Sequence, residues 1–235
     1  ALSAVSADQP NIIFILADDM GYGDMSNSGG TVATPHCDRL AAEGMKFTDA
    51  HTSSSVCTPT RYGILTGRYN WRSRMKKGVL SGFSDPLIPA ERTTIAGLLS
   101  DNGYTSGMVG KWHLGIGWQK LPNGAEAKPT KILHDKKKSK KKGAYGGGWD
   151  IDYSKPVVGP VANGFDSFFG IAASLDMPPY VYIRNDRAVA LPTVEKAFHR
   201  PGPATIDFEA NKCLEDFARE SRQFISAQAK NKEKP

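Results

Sequence analysis

Apolar and polar positions along the chain switch repeatedly between a strand-like and a helix-like period, and the switches predict an order of strand, helix and strand. From Asn11 to Ala17 the run Asn-Ile-Ile-Phe-Ile-Leu-Ala has the continuous apolar character of a strand buried on both faces of a parallel sheet, and it stops at Asp18-Asp19. Thr34-Pro35 offers a helix N-cap and a first-turn proline, leading through Cys37 to Glu43 and ending at Gly44. Lys46 to His51 reads as a second, weaker strand, and the serines Ser53 to Ser55 lead into a helix that starts at Cys57. A further helix is predicted over Thr93 to Asn102, with Ile95, Leu98 and Leu99 as its apolar stripe and Gly103 as its stop. Thr105 to Gly110 is the following strand, running directly into Lys111-Trp112-His113-Leu114-Gly115.

Beyond that point the pattern weakens. The stretch near 121–161 is rich in glycine, proline and lysine and reads as a loop insertion. Phe165 to Gly170 is a strand, Ser174 to Tyr180 an extended loop with paired prolines, and Ile206 to Lys230 a long amphipathic helix with Ala210, Leu214, Phe217, Ala218 and Ile225 on one stripe. The alternation argues for an α/β fold with right-handed crossovers, in which functional groups collect at the carboxyl ends of strands. Asp18-Asp19 and Lys111/His113 lie at such ends. No internal repeat at solenoid periods is present.

Composition narrows the class. At 235 residues with 40% apolar side chains the chain is long enough for a packed core, and no apolar run of about 18 residues marks a membrane span. Residues 1–10 are small and mildly apolar and read either as a signal-peptide remnant, with Val5-Ser6-Ala7 as its end, or as a flexible N-terminus; on the first reading the expected location is secreted or periplasmic. Cys37, Cys57 and Cys213 are too scattered for a disulfide framework or a paired-ligand zinc site; Cys37 and Cys213 are expected to serve as small apolar side chains on their helices. The net charge of +6 comes largely from seven lysines between Lys131 and Lys142. Such a run could hold a sulfated polysaccharide, but a solvated loop is the preferred reading, and with few aromatic neighbours it gives nucleic acid little support.

The chemistry concentrates around Ser55-Val56-Cys57-Thr58-Pro59-Thr60-Arg61. A cysteine at a helix start faces unpaired amides and the positive end of the helix dipole, and an arginine four residues on shares its face, so the sulfur sits where anions bind. The alternative is an inert buried thiol. The pattern Cys-x-Pro-x-Arg followed by Leu65-Thr66-Gly67-Arg68, with the later Gly-Lys-Trp-His-Leu-Gly segment from Gly110 to Gly115, resembles the two signatures of the formylglycine-dependent type I sulfatases.

The resemblance implies an alkaline phosphatase-like fold with a mostly parallel central sheet and helices on both faces, of which 11–235 would be the N-terminal part of the catalytic domain. It implies that Cys57 is oxidised by a formylglycine-generating enzyme and that the aldehyde hydrate is the nucleophile. Arg61 would stabilise the hydrate, Lys111 contact sulfate, and His113 act as base in releasing it. Asp18, Asp19 and residue 57 would be ligands of Ca2+. The substrate would be a sulfated carbohydrate or an aryl sulfate, its identity and sulfate position unspecified by these residues. Further metal ligands, a leaving-group acid and a second sulfate-contacting lysine would lie beyond residue 235, so the missing C-terminal part of the same protein is an expected partner, and the segment alone is expected to be inactive. Two alternatives stay open: a phosphate or phosphonate ester hydrolase of the same superfamily, and a non-catalytic polyanion-binding homologue with an unmodified Cys57.

Overall fold

The structure, a computed structural model, describes residues 9–134 and 147–230. The expected signal remnant up to residue 8 and most of the lysine run lie outside the described residues. The chain divides into two compact units, 1–52 and 53–235.

In the first unit a 3-10 turn at Ser26–Ser28 precedes α1, Pro35–Glu43. Thr34 stands before the proline but makes no capping bond. Its hydroxyl joins a small network instead, in which Ser26 Oγ donates to Asp38 (2.6 Å) and Thr34 Oγ1 to the same carboxylate (3.2 Å). These hydroxyls hold the Asp38 carboxyl below the usual carboxylate range. Two predicted strands are absent. Residues 11–17 are not a strand and Ile13, Phe14 and Ile15 are exposed, and 46–51 likewise forms none. A strand exists only by its ladder, and apolar character supplies no hydrogen-bond partner. Cys37 is exposed rather than an apolar filler.

The second unit holds two sheets. β1 (Gly107–Lys111) pairs in parallel with β3 (Ser167–Ile171), with Val109 opposite Phe169 and Lys111 opposite Ile171. β3 then pairs antiparallel with β4 (Ile183–Arg184), which turns back as β5 (Arg187–Ala188). The hairpin loop is Asn185-Asp186, with Asn185 in the left-handed conformation that asparagine tolerates best among larger residues. The second sheet is β2 (Lys131–Ile132), β6 (Val194–Ala197) and β7 (Pro201–Ala204), again with one parallel and one antiparallel pairing. The fold is therefore α/β as expected, with sheets that are mixed rather than mostly parallel. The segment after β3 returns through short loops, which permit only antiparallel neighbours.

Successive side chains of β3 point to opposite faces. Phe168 enters a core with Trp112, Ile183 and Tyr62, the last from α2 (Cys57–Thr66). Phe169 stacks on Tyr182 and meets Phe217 edge-on, the latter from α4 (Cys213–Gln228). Helices thus cover both faces of the first sheet. α4 also brings the Phe224 ring so close to Gly107 that a Cβ there would clash with it. The inward stripe of α4 is Cys213, Phe217 and Phe224, whereas Leu214, expected inside, is 79% exposed. The expected helical residues from Ile206 onward form loop and a 3-10 turn at Ala210–Lys212 before the helix starts. α3 (Ile95–Asp101) is capped by Thr94, whose Oγ1 accepts from the Gly97 N–H and donates to the Asn163 carbonyl (2.6 Å). Among the described residues no helix is long and apolar enough to cross a membrane.

Candidate active site

Cys57 is the first residue of α2, half-buried, and follows Val56 in an extended conformation. The amides of the helix's first turn have no intrahelical acceptors, so partial positive charge gathers at this end. One turn on, Arg61 reaches across to the carboxyl end of β1, where Nη1 donates to the Lys111 carbonyl at 2.5 Å. Lys111 in turn directs Nζ toward Ser174 Oγ, 3.4 Å away on the loop that follows β3. The Arg61 guanidinium is thus placed at the carboxyl end of β1 and the Lys111 ammonium at the loop after β3.

His113 is fully buried and has φ 58°. A non-glycine residue in this left-handed region is uncommon and is held there by its surroundings. The main chain continues alongside β3, Trp112 N–H donating to Ile171 and His113 N–H to Ala172, both at 3.0 Å. The main chain therefore leaves the extended conformation of β1 at His113. The His113 ring is placed by its own partner: Nε2 lies 2.7 Å from the Leu80 carbonyl. A carbonyl only accepts, so Nε2 carries the hydrogen.

Thr58, fully buried and next to Cys57, closes this arrangement. Its hydroxyl donates to the His113 carbonyl at 2.9 Å and accepts from the Leu80 N–H at 3.2 Å. One side chain thus fixes the start of α2, the His113 backbone and the segment that positions the His113 ring. Thr58 and Leu80 carry no signal in the sequence, since a threonine inside a motif has no distinctive spacing. Ser174 was readable only as part of a loop after a strand end, the usual place for functional groups in such sheets.

From Ser174 a polar row runs outward. Asp176 receives a hydrogen bond from Ser174 and pairs with Arg200 from the β6–β7 turn. Partial burial by itself would raise the Asp176 carboxyl, but the Arg200 hydrogen bond and charge outweigh it and hold the group below the usual carboxylate range.

Of the expected site residues, Cys57, Arg61, Lys111 and His113 fall in the second unit, joined by these bonds. Asp18 and Asp19 belong to the first unit, where both are exposed and Asp19 has φ 58°. No group of three or more potential ligands able to hold a metal is found among the described residues. Adjacent carboxylates have the hard oxygen donors calcium prefers, yet two side chains fall short of its six to eight ligands.

In this α/β fold Arg61 and Thr58 tie the start of α2 to the end of β1, where a lysine and a buried histidine stand. The family model described as Sulfatase matches residues 10–235, and the chain belongs to that family. It is 36% identical over 206 residues to an N-acetylgalactosamine-6-O-sulfatase of Bacteroides thetaiotaomicron, an alignment covering 87% of this chain and 33% of that protein. It is 46% identical over 129 residues to human arylsulfatase A, covering 54% of this chain and 25% of the relative. Among solved structures, one from work on the metabolism of multiple glycosaminoglycans by Bacteroides thetaiotaomicron superimposes with a TM-score of 0.73 at 27% identity, over 94% of this chain and 48% of the other. A sulfatase from Pseudoalteromonas sp., at 22% identity and a TM-score of 0.58 over 93% of this chain and 41% of the other, shares the fold. The chain thus spans a quarter to a third of these curated relatives and under half of these solved structures.

Proposed function

We propose that this chain carries the nucleophile-bearing part of a sulfate ester hydrolase acting on sulfated carbohydrates. The observation that carries the reading is the tie between the Cys57 helix start and the end of β1, through Arg61 to Lys111 and through Thr58 to His113. The relatives support the substrate class, one being a sulfatase of an N-acetylated amino sugar. Oxidised to formylglycine by a modifying enzyme, residue 57 would supply a hydrated aldehyde, one hydroxyl to attack sulfur and the other to expel sulfate as the carbonyl re-forms. Asp18 and Asp19 would contribute oxygen ligands to a calcium ion.

The chain's own residues divide the rest of the work. The α2 amides and Arg61 hold negative charge at residue 57. Lys111 contacts the sulfate group as a cation, with Ser174 accepting from its ammonium and holding it in place. His113 accepts a proton at Nδ1 while Nε2–H stays on Leu80, so the imidazolium that forms keeps its orientation. Export, expected from Val5-Ser6-Ala7, belongs to the same proposal. Mass analysis of the peptide containing Cys57, after co-expression with a formylglycine-generating enzyme, is expected to find the aldehyde. An unmodified thiol in a preparation of the longer protein that still turns over aryl sulfate esters would refute the role of residue 57, and faster turnover of matched aryl phosphates would move the assignment to phosphoryl transfer.

A further inference from the structure

We infer that the segment after α2 is a second binding site, an aromatic and cationic platform for the sugar rings of a sulfated polysaccharide; the ligand class rests on the proposed function. From Cys57 to Ser84 the chain contains six arginines and lysines and no aspartate or glutamate. In the middle of that stretch Tyr69 and Trp71 are 53% and 57% exposed. Their rings stack at 5.5 Å between centroids, 12° from parallel. Large aromatic side chains ordinarily gain from burial, so an ordered exposed pair points to a ligand.

The platform is preorganised. Asn70, between the two rings, is buried and donates from Nδ2 to the Met75 carbonyl at 3.1 Å. Ser73 Oγ donates to the Asn70 carbonyl (2.6 Å) and accepts from the Met75 N–H (3.1 Å), and Met75 is anchored in the core. Lys76 Nζ donates to the Trp71 backbone carbonyl at 2.6 Å, which ties a cation to the main chain of the platform. Arg72 and Lys77 are exposed, and among the described residues neither makes an ion pair. A pyranose ring has an apolar C–H face that covers an aromatic ring, and its sulfate groups would meet the flanking cations. α2 spans ten residues, about 15 Å, so a polymer could lie on the platform while another of its residues reaches Cys57 at the far end.

The test is a binding titration of the chain carrying Cys57→Ala, which separates binding from turnover: failure of sulfate hydrolysis would leave this result standing. The probes are dextran sulfate, neutral dextran, inorganic polyphosphate and oligo(dT). Trp71→Ala is expected to weaken dextran sulfate binding roughly tenfold without changing its salt slope, and to leave polyphosphate, which has no rings, unaffected. Arg72→Ala with Lys77→Ala should flatten the salt slope by about 1 to 2 for both polyanions. Tyr69→Ala serves as a second ring deletion. Unchanged dextran sulfate affinity in both ring variants, or an equal loss for polyphosphate, would overturn the platform. Tighter, Trp71-dependent binding of oligo(dT) would reassign it to single-stranded nucleic acid.

Discussion

Replacing Thr58 by valine tests whether the hydroxyl, rather than the volume, of this side chain holds the site together. Valine keeps the branched shape but withdraws the donor to the His113 carbonyl, in the interior, and the acceptor of the half-buried Leu80 N–H. A buried polar group deprived of its partner costs about 1–3 kcal/mol, so the expected loss is roughly 2–4 kcal/mol. Serine keeps both bonds and sheds one methyl group, at about 0.5–1.5 kcal/mol. Urea unfolding followed by the fluorescence of the chain's tryptophans, among them the buried Trp112, reads the difference, provided the slope with denaturant stays the same in all three proteins. The order wild type, Ser, Val is the expected one. A valine variant as stable as the serine variant would refute the argument, because the hydrogen bonds would then contribute no more than a methyl.

Two further outcomes follow from the surroundings of the site. Burial pushes the Tyr180 hydroxyl up to about 12, and it donates to the Arg200 carbonyl at 2.5 Å. Since the folded value lies above the unfolded value of about 10, its contribution to stability is complete below about pH 10 and is lost as pH rises toward 12. The Tyr180→Phe protein should therefore lose less stability than wild type over that window, and parallel losses would contradict the assignment. Gly115→Ala should destabilise the chain by at least about 2 kcal/mol, because φ 82° disfavours any Cβ and the added carbon would run into the Asp85 backbone, which Arg74 holds in place. A melting temperature within a degree or so of wild type would show that the 84–86 segment yields freely.

Local signals were legible where a residue's neighbours in sequence decide its conformation. The start of α2 at Cys57, the cap of α3 at Thr94, and the strands around Val109 and Phe169 all stand within a few residues of their expected positions. The cysteine, arginine, lysine and histidine of the site were identifiable because their motifs are short and contiguous. The same method failed for 11–17, whose apolar run resembles a buried strand but has no ladder, and for Leu214, which was set on the inward stripe beside Phe217 where the neighbouring Cys213 is the buried residue.

Only the tertiary structure decided the rest. The antiparallel turn at Asn185-Asp186 makes the first sheet mixed, and the second sheet joins β2 to a hairpin more than sixty residues later. Leu80 receives the His113 ring and Thr58 its carbonyl, and Ser174 meets Lys111 from the loop after β3. Sequence by itself determined which chemical groups are present and the local conformation around most of them. Their partnerships cross separations of 33, 55 and 63 residues, and a hydrogen bond between such groups has no periodicity to reveal it, since it exists only once packing has brought two distant backbones together.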